Sequence, residues 1–130
     1  MDLVTIADAR NHIRTDSDAD DAWFAVWIPA ISQAVMSWLK EDWRAFEPIL
    51  DENGNPLLDS NGDAIPFEDS DGDRTVKPMV RAACLIELAQ QYRFRDGSGA
   101  AAVPSEWGHG YVLGAGATSL LVSVRKSTVR

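Results

Sequence analysis

Cysteine is almost missing from this chain: Cys84 is the single one in 130 residues. That excludes an intrachain disulfide and argues against a cysteine-based metal site. Cys84 lies in an apolar helical run, where it reads as a small buried hydrophobe. Basic residues are also short, 12 Lys and Arg against 20 Asp and Glu, for a net charge of −8. A deficit of that sign excludes capture of nucleic acid through a basic footprint. Histidine occurs twice, at His12 and His109, far apart in the sequence and with no paired nucleophile near either; His12 reads as a surface residue and His109 as a loop residue. A Gly-rich phosphate loop, HExxH, GxSxG and CxxC are all lacking. The carboxylates gather at helix starts and turn tips, where solvation accounts for them. The expectation is a protein without catalytic residues, metal or cofactor. The start, Met1 to Arg10, lacks the basic and apolar segments of a signal peptide. The apolar run from Trp23 to Leu39 contains Pro29 and reads as too short for a membrane span. A soluble protein made in a cytoplasm, with no membrane partner, is expected.

What is present begins with the stretch Asp20 to Lys40. Between Ala22 and Leu39 its polar residues are Ser32, Gln33 and Ser37. Helical spacing puts Phe24, Ile28, Ile31, Val35 and Leu39 on one face. A second apolar face holds Trp23, Trp27, Ala30, Ala34 and Trp38. An ordinary surface helix has one apolar stripe. The first face is therefore assigned to the chain's own core and the second to a neighbouring subunit. Pro29 predicts a kink or break near Ala25 to Ile28.

Before it, Leu3 to Arg14 reads as a short helix, with Thr5 and Asp8 at capping-box spacing. Ser17 and Asp20 repeat that spacing ahead of the long helix. After it, helical periodicity stops. Asn53-Gly54, Asn61-Gly62 and Asp71-Gly72 favour primed turns. The first two sit in a short repeat, DENGNPLL then DSNGDAIP. One or two small β-hairpins are expected, as an arm that leans on its own body or on a neighbour. A calcium loop fits poorly. Gly62 in the sixth position of an EF-hand puts Leu57 first, and Gly72 puts Phe67 first and Pro78 twelfth.

Helical order returns over Val76 to Arg93, with Pro78 in the first turn and Gly97 as a stop. Residues 97–116 are rich in Gly, Ala and Ser and read as a loop, although Trp107 and Tyr111 beside His109 suggest that part of it docks. From Ala117 onward, Leu120, Leu121 and Val124 recover helical spacing, capped by Thr118 or Ser119 and followed by Arg125, Lys126 and Arg130. The fold class is mainly α. A small helical bundle carries a β-hairpin arm between its second and third main helices, and a C-terminal helix follows the Gly/Ala-rich loop. One domain spans 1–130, divided into N-terminal helices at 1–42, the arm at 43–77, a core helix at 78–96, the loop at 97–116 and the C-terminal segment at 117–130.

Three stretches share an order and spacing with a known family: Leu3 to Arg10 continued by Ile13-Arg14 and the acidic 16–21 before a long apolar helix; Pro78 to Ala83 leading to Leu85, Leu88 and Tyr92-Arg93; and Leu120-Leu121 followed by Val124-Arg125. This layout resembles the head-tail connector (adaptor) proteins of tailed phages. The resemblance implies a ring, typically of twelve subunits, below the capsid portal in the virion neck, assembled from protein made in the host cytoplasm. The portal would bind one side and a head-closure (stopper) or tail protein the other. Double-stranded DNA would pass through the lumen without sequence-specific binding. The family's C-terminal segment implies portal docking by Leu120, Leu121, Val124 and Arg125. The arm at 47–75 and the loop at 97–116 are longer than the family pattern. The competing reading is a monomeric acidic protein-binding module, an inhibitor of the DNA-mimic type. A weaker third is a calcium-stabilised adhesive module built on the arm.

Overall fold

The computed structural model describes residues 1–15, 17–94 and 113–125. The first helix, α1 (Ile6–Ile13), starts where its capping chemistry requires. The Thr5 hydroxyl accepts from the Asp8 N–H at 3.0 Å, and the Asp8 carboxylate accepts from the Thr5 N–H at 3.1 Å. Two of the orphan donors of the first turn are thereby satisfied. The helix ends at Arg14, which takes a left-handed conformation.

The long helix α2 (Asp21–Leu39) does not begin as its spacing suggested. Asp20 makes no side-chain cap. Its carboxylate accepts instead from the Tyr92 hydroxyl, 72 residues away, at 2.5 Å. A tertiary partner has outcompeted the local one. Nor does Pro29 break the helix, which runs through it as 19 residues. Ile28 and Ile31 on either side are buried and hold the segment against the core. Ala25, whose carbonyl loses its usual donor, is exposed, so water can replace that bond. A left-handed Lys40 ends α2, and a 3-10 turn (Asp42–Ala45) follows.

Residues 46–76 form no continuous strand. They make five isolated antiparallel bridges, Phe46 to Val76, Pro48 to Pro66, Leu50 to Pro56, Leu58 to Ala64 and Glu68 to Arg74. Three of these close a triangle: segment 48–50 pairs with 56–58, 56–58 with 64–66, and 64–66 back with 48–50. A ring of backbone bonds runs through the middle residues. Ile49 N–H donates to Ile65 at 2.8 Å, Ile65 to Leu57 at 3.0 Å, and Leu57 to Ile49 at 2.8 Å. The Pro48–Pro66 edge also belongs to a second triangle, through 46–48, 66–68 and 74–76. Proline normally breaks a ladder because it has no donor. Here Pro48, Pro56 and Pro66 stand at bridge positions flanked by their neighbours' bonds, where the pattern makes no use of their missing N–H.

The triangle corners are three turns of one design. Asp51, Asp59 and Asp69 each accept, through Oδ1, from the N–H groups two and four residues on, at 2.8 to 3.0 Å. Gly54, Gly62 and Gly72 take φ near +82° while the Asx residues before them stay on the negative side. Primed turns would need positive φ at both residues. The Asp carboxylate fixes a five-residue loop in which only the glycine turns left-handed, so the primed expectation is corrected.

Helix α3 (Pro78–Arg93) packs against α1, α2 and the short α4 (Ala115–Leu121). Pro78 stands in the first turn of α3. The expected stop at Gly97 and the residues Trp107, His109 and Tyr111 lie outside the described residues. Helix α4 starts two residues before its expected position, with Gly114 as its N-cap. Thr118 and Ser119 do not cap it, because their hydroxyls donate back to carbonyls of the preceding turn. The α3 to α4 approach is close: a Cβ on Gly116 would lie 3.1 Å from Ile86 Cγ2. All five residues of the first α2 face are buried, together with Val80, Ala83, Cys84 and Leu88 of α3 and Leu121 of α4. Mainly helical architecture with little strand is therefore what this sequence adopts.

Candidate functional site

Among the described residues, the titratable groups make no catalytic constellation. Glu87 is almost fully buried, but it has a structural role: Oε1 accepts from the Gly114 N–H at 2.7 Å and Oε2 from Gln91 Nε2 at 3.3 Å. A buried carboxylate thus ties the start of α4 to α3, where an unmatched charge would be costly. Cys84 lies beside it, fully buried, and its thiol is pushed up to about 12 by burial and, secondarily, by the Glu87 charge. It is therefore no nucleophile at neutral pH. Asp69, Asp71 and Asp73 stand close together at one turn tip, all exposed. Asp69 already spends Oδ1 on two backbone donors.

The larger features are surfaces. Of the second α2 face, Trp23, Trp27, Ala34 and Trp38 are half-buried and Ala30 is exposed. The aromatic members have partners inside the chain. Trp23 stacks on Trp27 at 5.5 Å and meets Tyr92 at right angles, at 5.4 Å. The Arg125 guanidinium covers the Trp38 ring at 4.2 Å and donates to the Trp38 carbonyl at 3.1 Å. The part of α2 that stays open lies one step round the helix, at Ala22, Ala25, Val26, Pro29 and Ala30, with Gln33 and Ser37 continuing it. Val26 is 66% exposed. The four-residue spacing of Ala22, Val26 and Ala30 was visible in the sequence. Which stripe would be left open was not, because Tyr92 and Arg125 come from distant segments.

The chain matches no protein-family model, no curated protein and no solved structure.

The C-terminal residues are also partly used within the chain. Leu121 is completely buried, so a contact through it would require α4 to leave the body. Leu120, Val124 and Arg125 are half-buried and keep some surface. The Val124 carbonyl accepts from Arg44 Nη1 at 3.2 Å, which fastens this segment to the 3-10 turn. A cleft of about 620 Å³ opens between α2 and α4, with Gln33, Ala34, Trp38 and Arg125 in its wall. By length and composition alone α2 is apolar enough to cross a membrane, and a third of it is buried inside the protein. The sequence reading of this run as too short is corrected, because the helix continues through Pro29.

The remaining surface is segment 46–76. Leu50, Leu57, Leu58 and Phe67 are all large, apolar and exposed, at 56%, 41%, 61% and 47%. Nine of the twenty carboxylates lie between Glu47 and Asp73, and none of the twelve basic residues does. The rest of the chain therefore holds eleven carboxylates against twelve Lys and Arg. The net negative charge of the protein belongs to this one segment.

Proposed function

We propose that the chain is a structural head-tail connector (adaptor) subunit of a tailed phage. It would form a ring below the portal, through which DNA passes and on which the neck or tail assembles. The observation that carries this reading is the open apolar ridge of α2 from Ala22 to Ala30, backed by a core face that is completely buried. A helix used on both sides suits subunits packed side by side, since a lone monomer gains nothing from an uncovered apolar stripe. On this reading the ridge, with the exposed edges of Trp23, Trp27, Ala34 and Trp38, faces the next subunit. Residues 46–76 serve as a hairpin arm inserted into a helical bundle. Leu120, Val124 and Arg125 offer the C-terminal surface to the portal, and a head-closure or tail protein meets the opposite side. The body, close to neutral overall, would let DNA slide through a twelve-membered ring without holding its phosphates. The protein has no enzymatic role, cofactor or membrane partner on this reading, and its place is the virion neck after synthesis in the host cytoplasm.

Electron-microscope images of the purified protein, alone and mixed with its portal, test the proposal. Rings, or density added beneath the portal, are expected. A protein that stays monomeric at high concentration and ignores portal assemblies would sink it. A second reading, a monomeric acidic module that mimics DNA, is favoured by the concentration of nine carboxylates on one segment. It predicts a monomer whose binding fails when carboxylates are neutralised and persists when exposed leucines are replaced.

A further inference from the structure

We propose that the 46–76 arm is a preformed docking surface for the cationic surface of a different protein, one that also offers an apolar pocket. The inference deepens the connector reading by naming the kind of partner the arm fits, but it does not require a ring. Three observations meet here. First, the arm exposes Leu50, Leu57, Leu58 and Phe67, a large apolar payload for some thirty residues that bury almost nothing of their own. Exposed anchors of this kind, rimmed by polar groups, are the usual anatomy of a binding patch. Secondly, the rim is strongly acidic. Nine carboxylates lie between Glu47 and Asp73, and the arm's one cation, Arg74, is paired with Glu68 at 3.2 Å, so the complementary surface is basic. Thirdly, the arm is held rigid without a core. Its three Asp-organised turns and the hydrogen-bonded ring through Ile49, Leu57 and Ile65 fix the backbone beforehand. Little ordering entropy then remains to be lost on binding.

The charge distribution also decides against a second copy of this chain as the occupant. Arm against arm sets a net charge of about −8, nine carboxylates less the one Arg74, against the same. Arm against body offers eleven carboxylates and eleven cations spread over the residues outside 46–76, a neutral balance. The partner that satisfies the rim must bring its own excess of Lys and Arg.

The experiment selects a displayed library of random twelve-residue peptides on the full chain, and measures the winners against the chain and against Leu50→Ser/Leu58→Ser and Phe67→Ser variants. Both Leu50 and Leu58 are exposed, so an unchanged melting curve certifies that the variants fold. Winners with net positive charge and an aromatic or aliphatic anchor are expected. They should lose about tenfold or more in affinity on the serine variants, the behaviour of apolar hot spots. They should also weaken in high salt, because the rim is solvent-exposed. Neutral or acidic winners, or winners indifferent to the serine variants, overturn the proposal. In parallel, sedimentation of the chain and its variants is compared at low and high salt. A change of oligomeric state in the serine variants assigns the arm to a second copy and overturns it too. If the chain forms rings and the serine variants form them equally well, the ring reading stands whatever the peptides show, so the two proposals fail separately.

Discussion

The Tyr92 hydroxyl donates to the Asp20 carboxylate at 2.5 Å, joining the last turn of α3 to the residue just before α2. The same tyrosine ring meets Trp23 at right angles, at 5.4 Å, and lies nearly parallel to Phe24 at 6.0 Å. One side chain therefore fixes both where α2 starts and which way it is rotated.

Replacing that hydroxyl isolates its contribution. A hydrogen bond to a charged acceptor is worth about 1.5–3 kcal/mol, so Tyr92→Phe is expected to lower stability by roughly that amount. A double-mutant cycle with Asp20→Ala should return most of the loss as coupling energy. Strictly additive losses would show that Asp20 is held by something else.

The open ridge of α2 gives the sharpest test of assembly. Val26→Glu places a charge where the monomer has solvent, so the melting temperature should hold while rings or portal complexes disappear. Trp27→Glu is a poorer probe than its helical position suggests. Trp27 is half-buried and stacked on Trp23, so that change should weaken fold and assembly together. Size-exclusion profiles of the two variants beside their thermal melts separate the cases.

Acid should loosen the N-terminal helix. The Asp8 carboxyl is held below its ordinary value chiefly by the Thr5 backbone N–H, against some burial, with help from the Thr5 hydroxyl and Arg81. A carboxyl depressed in the folded state contributes stability above its unfolded value near 4. That contribution is lost as pH falls through the folded value. The acid limb of a stability-versus-pH curve should therefore flatten in Asp8→Asn. An unaltered limb would mean that other carboxylates set it.

Cys84 should be silent in the native protein. With the thiol completely buried and pushed up to about 12, a disulfide reagent at neutral pH should find nothing to react with until denaturant is added. The rate of labelling in the absence of denaturant then reports transient opening of the α3 core.

The arm turns should be sensitive to one atom. Gly62 takes φ +82°, with open space around the missing Cβ, so Gly62→Ala introduces backbone strain and no clash. A left-handed L-residue costs about 1–2 kcal/mol. Faster amide exchange at Leu57 and Ile65, with an unchanged melt for the helical body, is the expected outcome.

Much of the helical body was legible from local pattern. The Thr5/Asp8 box, the buried Phe24 to Leu39 face and the Pro78 start of α3 follow from spacing and capping chemistry alone. Errors arose where a distant residue intervened. Asp20 left its local cap for Tyr92, and Trp38, read as an outer residue, lies under Arg125. Pro29 was survivable because Ile28 and Ile31 anchor the helix on either side. The repeat around Asp51 and Asp59 announced turns but not their closure. Ile49, Leu57 and Ile65 are eight residues apart along the chain, and nothing local says that the third segment returns to the first. The candidate surfaces were the least legible part, since an open face is defined by what other segments leave uncovered.

The placement of the prolines in the arm has a consequence for how it can be met. A small β-structure at a protein surface normally offers a free edge, onto which another chain can add a strand by backbone pairing. In the triangle of segments 48–50, 56–58 and 64–66 each segment is already paired on both flanks, and Pro48, Pro56 and Pro66 bring no spare donors. Strand addition there finds no template. The arm therefore resists fibre-like stacking despite its exposed leucines, and whatever docks on it must recognise side chains.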